Sequence, residues 1–467
     1  MLSTSAAAGA LPPAVSAESI ARGTAQDLIV EFDSRAVDQE ARQLRLKRGL
    51  DRDDAQILGV REARFRQIKA GVRSALPDGE YDVVTDFHVL PFAMVRVRTS
   101  RALAALAGHG SVVGIYRDAV KYAIPDKIPQ LDSATQTLIG QPVARAAGLT
   151  GAGTTVLVID TGANYTVADL GSCSGAATPA NCRVSHALYV NSGNSVVGDP
   201  TPAASTYNNH GTNVASIVAG VAVATKVAVI NVFGTNTSTS DSKILAAINW
   251  GIANQAVHNI RALNLSLGDN SSNSTPCSTG NPYVSAFSAA LAAGIVPVTA
   301  AGNNGYLTGI AAPACTPGAV SVGAVYVTNY GSVGWTTCTD ATTAANKVTC
   351  FSNSASILSL LAPGAIITAG GQTFGGTSQA SPFAAASIAL LYGAYPTATT
   401  TQQVSRLISG GIAVTDSRNG LTKPRLDLTA IAAAASPYTG DVPALPEWMA
   451  VLAGAAFFAA ATRRRSA

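Results

Sequence analysis

Val156-Leu157-Val158-Ile159-Asp160-Thr161-Gly162 is the stretch on which the fold turns. Its four apolar residues, three of them β-branched, read as a strand buried on both faces, and the polar Asp-Thr-Gly reads as the turn at its carboxyl end. Apolar runs of the same kind recur at 227–232, 262–267, 295–299 and 319–325, and the segments 214–219, 243–255 and 283–293 between them carry helical spacing. Strands that are apolar throughout and linked by helices imply a doubly wound parallel α/β sheet with helices on both faces. In such a sheet the ligand crevice lies at the carboxyl ends of the strands, where the polar motifs of this chain sit.

Charge divides the chain around this region. Of 58 charged side chains (31 Lys and Arg, 27 Asp and Glu) the first 122 residues hold 32, and residues 136–440 hold only 18. The break falls at 124–136, a loop-like run containing Pro125 and Pro129. Before it, strands at 27–33, 81–89, 93–97 and 112–116 and helical stretches at 61–76 and 101–108 make a small α+β unit of roughly a hundred residues. The expected organisation is therefore a poorly defined segment at 1–25, a small domain at 26–122, a linker at 123–135, the α/β domain at 136–440 and a tail at 441–467. Residues 1–18 end in Val-Ser-Ala, like a cleavage site, but they lack a basic n-region and Pro12-Pro13 interrupts the apolar run. A net charge of +4 is too small to suggest a nucleic-acid partner.

Six cysteines, Cys173, Cys182, Cys277, Cys315, Cys338 and Cys350, all lie in the charge-poor part. Their even number there suggests disulfides and an oxidising compartment, with buried free thiols as the alternative. No pairing has metal-ligand spacing. Six cysteines allow 15 connectivities. Pairing of sequence neighbours, each closing a small loop, gives Cys173–Cys182, Cys277–Cys315 and Cys338–Cys350, the middle pair bracing the loops after Gly268 and Asn303.

Three polar motifs carry the chemistry. Asp160 ends a core strand before a Gly turn; His210 opens His-Gly-Thr-Asn-Val-Ala-Ser; Ser378 lies in Phe-Gly-Gly-Thr-Ser-Gln-Ala-Ser-Pro, with Pro382 expected in the first turn of a helix at 383–391. Each alone has an ordinary structural reading, as a strand end, a helix-opening histidine or an N-cap serine. Together, in the order Asp, His, Ser, they resemble the three signature segments of the subtilisin-like (S8) serine peptidases. Ala-Ala-Gly-Asn303 stands where that family places its oxyanion-hole asparagine, and Ser266-Leu267-Gly268 resembles its substrate-pairing segment. The resemblance covers about residues 136–436.

What the resemblance implies is a secreted serine endopeptidase with Asp160, His210 and Ser378 as triad, Asn303 in the oxyanion hole, and Ser266, Leu267 and Gly268 pairing with substrate. Protein or peptide substrates follow, and catalysis needs neither metal nor organic cofactor. Structural calcium, which many relatives bind, has no assignable ligands in a domain so poor in carboxylates. The loop 234–240 should form one wall of the cleft. Two departures stand beside the triad: Asn213 replaces a second histidine, and Gln379 replaces a methionine. The charged N-terminal unit resembles the family's inhibitory propeptide, whose tail occupies the cleft until it is cut. The stretch Val442-Pro-Ala-Leu-Pro-Glu-Trp448, an apolar run at 449–462 and Arg463–Arg465 resemble bacterial sorting tails of the PEP-CTERM type, implying a sorting enzyme and transient contact with a membrane at the cell surface. Two rival functions are a catalytically silent adhesin of the same fold, against which the complete triad argues, and an α/β-hydrolase esterase. The esterase would need a Gly-x-Ser-x-Gly elbow and the order Ser, Asp, His.

Overall fold

The computed structural model describes residues 24–123, 133–199 and 209–433. The N-terminal segment up to residue 23, most of the expected linker and the tail lie outside the described residues. In the first unit β1 (Gln26–Phe32), α1 (Arg35–Arg48), α2 (Ala55–Ser74), β2 (Tyr81–Phe87), β3 (Phe92–Val97), α3 (Ser100–Gly108) and β4 (Val112–Arg117) follow in order. The strands form an antiparallel sheet ordered β2-β3-β1-β4. Alternation along β1 gives the sheet two different faces. Leu28, Val30 and Phe32 pack with Val72, Leu103 and Leu106 of the unit's own helices. Ile29, on the other face, joins a cluster formed mostly by the second unit. Helix α1 was not expected, because it buries only Val37 and Ala41 and is otherwise a charged surface helix with too thin an apolar stripe for its period to show.

The second unit is built on a ten-stranded sheet. Its strands are β6 (Thr155–Asp160), β7 (Val184–Val190), β8 (Val196–Gly198), β9 (Lys226–Asn231), β11 (Ile260–Leu265), β13 (Val296–Ala300), β14 (Val320–Val325), β15 (Leu360–Pro363), β16 (Ile412–Thr415) and β17 (Thr422–Arg425). Their spatial order is β16-β17-β15-β14-β13-β11-β6-β9-β7-β8. The eight strands from β17 across to β7 run parallel, and antiparallel strands β16 and β8 close the edges. Strand β6 shows why the run at 156–159 is apolar throughout. Val156 and Val158 pack toward α4 (His210–Val221) and α7 (Thr377–Ala394), while Leu157 and Ile159 pack toward α5 (Asp241–Ala253) and α6 (Tyr283–Ala292).

Five strands of this sheet, β7, β8, β15, β16 and β17, escaped the sequence reading. Ser185 and His186 break the apolar run of β7, and β15 is four residues long and ends in proline. The expected helix at 383–391 is in fact α7, which begins at Thr377, so Pro382 lies in the helix interior rather than in its first turn. The apolar run after Pro382 marks only the buried middle of that helix, while its polar start belongs to the site. Among the described residues no helix is long and apolar enough to cross a membrane.

Candidate active site

Asp160 is the last residue of β6, and His210 is the first of α4. One carboxylate oxygen of Asp160, Oδ1, accepts hydrogen bonds from Thr161 N at 2.7 Å and from His210 Nδ1 at 2.7 Å. The close approach of helix to strand depends on Gly211. A Cβ there would lie 2.1 Å from Gly162 O and 3.1 Å from Asp160 Oδ1, so any side chain would push the helix start off the aspartate. Gly211 N then donates to Thr161 Oγ1 at 2.9 Å, and Thr212 Oγ1 accepts from Asn164 N at 2.9 Å. Two short segments, Asp-Thr-Gly and His-Gly-Thr, are thus stitched together residue by residue.

Ser378 is the second residue of α7. Its Oγ donates to Ser266 O at 3.2 Å, and its carbonyl accepts from Ser266 Oγ at 2.7 Å. The second bond follows from Pro382: proline has no N–H, so the helix cannot supply the usual donor four residues on to the Ser378 carbonyl. The hydroxyl of Ser266 takes that place. It is itself held by Asn264 Nδ2 at 2.9 Å, and Asn264 Oδ1 accepts from Ser381 Oγ at 2.8 Å. Asp160, His210 and Ser378 are each 0% exposed. His210 Nε2 is buried and makes no hydrogen bond, the serine hydroxyl being turned to Ser266 O.

Asn303 follows β13, after a glycine at φ 106°, where a Cβ would meet Asn353 Nδ2 at 2.3 Å. Its Oδ1 accepts from Thr377 N at 2.9 Å and Thr377 Oγ1 at 2.7 Å, while Thr377 Oγ1 accepts from Gly302 N at 3.0 Å. With Oδ1 engaged on that side, the amide donor Nδ2 faces away from Thr377. The residue replacing the family's second histidine, Asn213, donates from Nδ2 to the carbonyls of Ile367, Ala369 and Gln372 and accepts from Gln379 Nε2 at 3.2 Å. The two departures therefore bond to each other and anchor the hairpin that precedes Ser378.

Beside Ser378 lies a three-stranded arrangement. β5 (Val120–Ala123), from the first unit, runs between β10 (Ser238–Ser240) and β12 (Leu267–Gly268), antiparallel to both. Tyr122 is opposite both Ser238 and Gly268, and Ala123 is opposite Leu267, so the strand runs toward Ser266 and hence toward Ser378. The sequence reading ended the unit's last strand near Tyr116 and missed β5, which is only four residues long and carries a lysine at its second position. Asp118, just before it, caps α5: its oxygens accept from Ser242 N at 2.7 Å and Ser242 Oγ at 2.6 Å, a role that Ser240, the residue preceding the helix, leaves unfilled. Disulfides join Cys173 to Cys182, Cys277 to Cys315 and Cys338 to Cys350. The second links the segment after β12 to the segment after Asn303. Asn264, Thr377 and Ser381, which orient the candidate residues, were not singled out from the sequence. Thr377 and Ser381 were hinted at only as polar positions inside the motif around Ser378, and Asn264 only as a polar residue in an apolar strand.

The family model of the subtilases (peptidase S8) matches residues 151–420. Subtilisin E of Bacillus subtilis is 28% identical over 326 residues, 66% of this chain and 72% of that protein. A subtilisin of Bacillus pumilus is 30% identical over 288 residues, 58% and 88% of the two chains. An extracellular serine proteinase of a Thermus species is 30% identical over 220 residues, 45% and 47%.

Proposed function

This chain belongs to the subtilase family and is a serine endopeptidase, and from that premise we propose that Asp160, His210 and Ser378 are its catalytic triad and Asn303 the side-chain donor of its oxyanion hole. The observation that carries the reading is the buried 2.7 Å bond between His210 Nδ1 and Asp160 Oδ1. With the proton held on Nδ1, Nε2 of the neutral ring is an acceptor. In the reaction Ser378 Oγ leaves Ser266 O, gives its proton to Nε2 and attacks the scissile carbonyl, whose electron pair moves onto oxygen. Asn303 Nδ2 and the Ser378 N–H, an unpaired donor of the first helical turn, hold that oxyanion. Asp160 stabilises the imidazolium. His210 then delivers the proton to the amine as the C–N bond breaks, and a water deprotonated by the same ring releases the acyl group from Ser378. Protein and peptide substrates suffice for these steps, and no residue is assigned to calcium.

The first unit reads as a propeptide. Its strand β5 lies between two cleft strands as a bound peptide would, with main-chain pairing on both sides. Cleavage between about Tyr122 and Gln136 would turn the precursor into a peptidase carrying a non-covalent inhibitor. Export fits the three disulfides and the name of the Thermus relative. The segment 441–467 is read as a sorting tail removed on the way out, and intact mass of the protein from its native host tests that. The catalytic reading is tested with a fluorophosphonate probe. The label should map to Ser378, and Ser378→Ala should lose on the order of 10⁶-fold in peptide hydrolysis. Retention of about a tenth of the activity would mean another nucleophile.

A further inference from the structure

We propose that the subsite filled by Lys121 is a specificity pocket for a basic substrate side chain. Along β5 the side chains alternate: Val120 and Tyr122 are exposed, whereas Lys121 and Ala123 are buried against the second unit. Peptides bound as added strands are read in this way, main chain by pairing and alternate side chains by pockets. The Lys121 pocket is acidic. The lysine side chain is 3% exposed, with Nζ 2.9 Å from Asp241 Oδ1 and 3.7 Å from Asp269 Oδ2, and it lies 6.0 Å from the centre of the Tyr283 ring.

The carboxylates are held in place by their own neighbours. Tyr283 Oη donates to Asp241 Oδ1 at 2.7 Å. Asp269 Oδ1 accepts from Ser271 N at 3.0 Å, Ser271 Oγ at 2.6 Å and Ala312 N at 3.1 Å, which turns Oδ2 to the lysine. The remaining charge nearby, Asp118, is committed to Ser242 and leaves with the first unit. Residues 136–440 contain eight carboxylates in all, every one an aspartate, so the convergence of two on one buried spot is not a property of a generally acidic surface.

The proposal rests on the reading of β5 as lying where substrate lies. Once that strand has left, Asp241 and Asp269 remain without Lys121. A substrate strand in the same register then either brings a cation to them or buries Asp241 with its charge unpaired, which is strongly unfavourable. Lysine or arginine at that position is therefore selected and glutamate rejected, by attraction and by repulsion respectively.

The test uses the full chain, expressed and left to process, with chromogenic peptides in which each of the five residues before the scissile bond is in turn Lys, Leu or Glu. At one position Lys should exceed Leu by about tenfold in kcat/KM, with Glu poorest. Asp241→Asn and Asp269→Asn should each lower the Lys peptide several-fold more than the Leu peptide, fluorophosphonate labelling reporting folded enzyme. If Asp241→Asn fails to fold, Asp269→Asn and the wild-type profile decide. Active enzyme with no Lys-preferring position, or a preference unchanged in Asp269→Asn, overturns the proposal. Wild-type enzyme that cuts no peptide and takes no label at Ser378 overturns the catalytic reading on which it rests.

Discussion

Ser266 illustrates how one residue can serve two purposes at the heart of this site. Its carbonyl takes the hydroxyl of Ser378 and its own hydroxyl satisfies the carbonyl that Pro382 leaves without a helical donor. Removing the hydroxyl strands a buried acceptor and costs about 1–3 kcal/mol. Ser266→Ala should therefore destabilise the chain by that amount in urea unfolding, measured in a Ser378→Ala background to prevent autolysis. Pro382→Ala restores an N–H four residues after position 378, so part of the loss should be recovered in the combined variant. Recovery is partial because Asn264 Nδ2 also loses its acceptor. Equal destabilisation with and without the proline would show that the Ser378 carbonyl is not the group at stake. The motifs around these residues were legible in sequence because their chemistry is local: a strand end, a helix start and a glycine loop. The supporting amides and hydroxyls were not, since an asparagine in a strand has no signature until its partner is known.

Helices α5 and α6 form the floor on which the sheet of the first unit rests, and the contact carries a titratable group. Glu31, on the outer face of β1, accepts hydrogen bonds from Ser285 of α6 and from Tyr116. Burial holds its carboxyl above the ordinary range, and the two hydroxyls oppose that shift only in part. A raised folded-state value means stabilisation that is complete below the unfolded value near 4.5 and is lost as pH rises through the raised one. The grip of the cleaved first unit on the peptidase should accordingly weaken as pH rises above the ordinary carboxylate range. Glu31→Gln should slow its dissociation at neutral pH and flatten the profile. Dissociation that quickens in Glu31→Gln, or a pH profile identical to wild type, would rule out this group.

At the scale of the whole molecule, two units share one core. Ile29, Leu58, Phe87, Val89, Leu90 and Phe92 of the first unit belong to the cluster that also contains Ile244, Phe287 and Leu263 of the second. With Asp118 capping α5 and β5 paired on both sides, the first unit gives the second a helix cap and a central strand, and on the proposed reading that strand blocks the cleft. A tethered segment lying in the cleft is a substrate at high effective concentration, so the first cut should be intramolecular. Wild-type precursor should process with a half-time independent of protein concentration, and Ser378→Ala should accumulate uncut. Processing of purified Ser378→Ala at the normal rate without added protease would exclude self-cleavage.

The sequence by itself determined the parallel α/β sheet and the positions of Asp160, His210, Asn303 and Ser378. A strand buried on both faces must be apolar throughout, and motifs at strand ends and helix starts keep their chemistry within a few residues. Tertiary structure alone decided what sits opposite them. The full extent of α7 is visible only where its polar first turns are buried among the segments they bond. β5 is a strand only because β10 and β12 supply partners on both sides of it. Lys121 reads in sequence as one more charge in a charged unit. It becomes specific when folding buries it between Asp241 and Asp269, because the strength of an ion pair depends on distance and desolvation, which chain position does not encode.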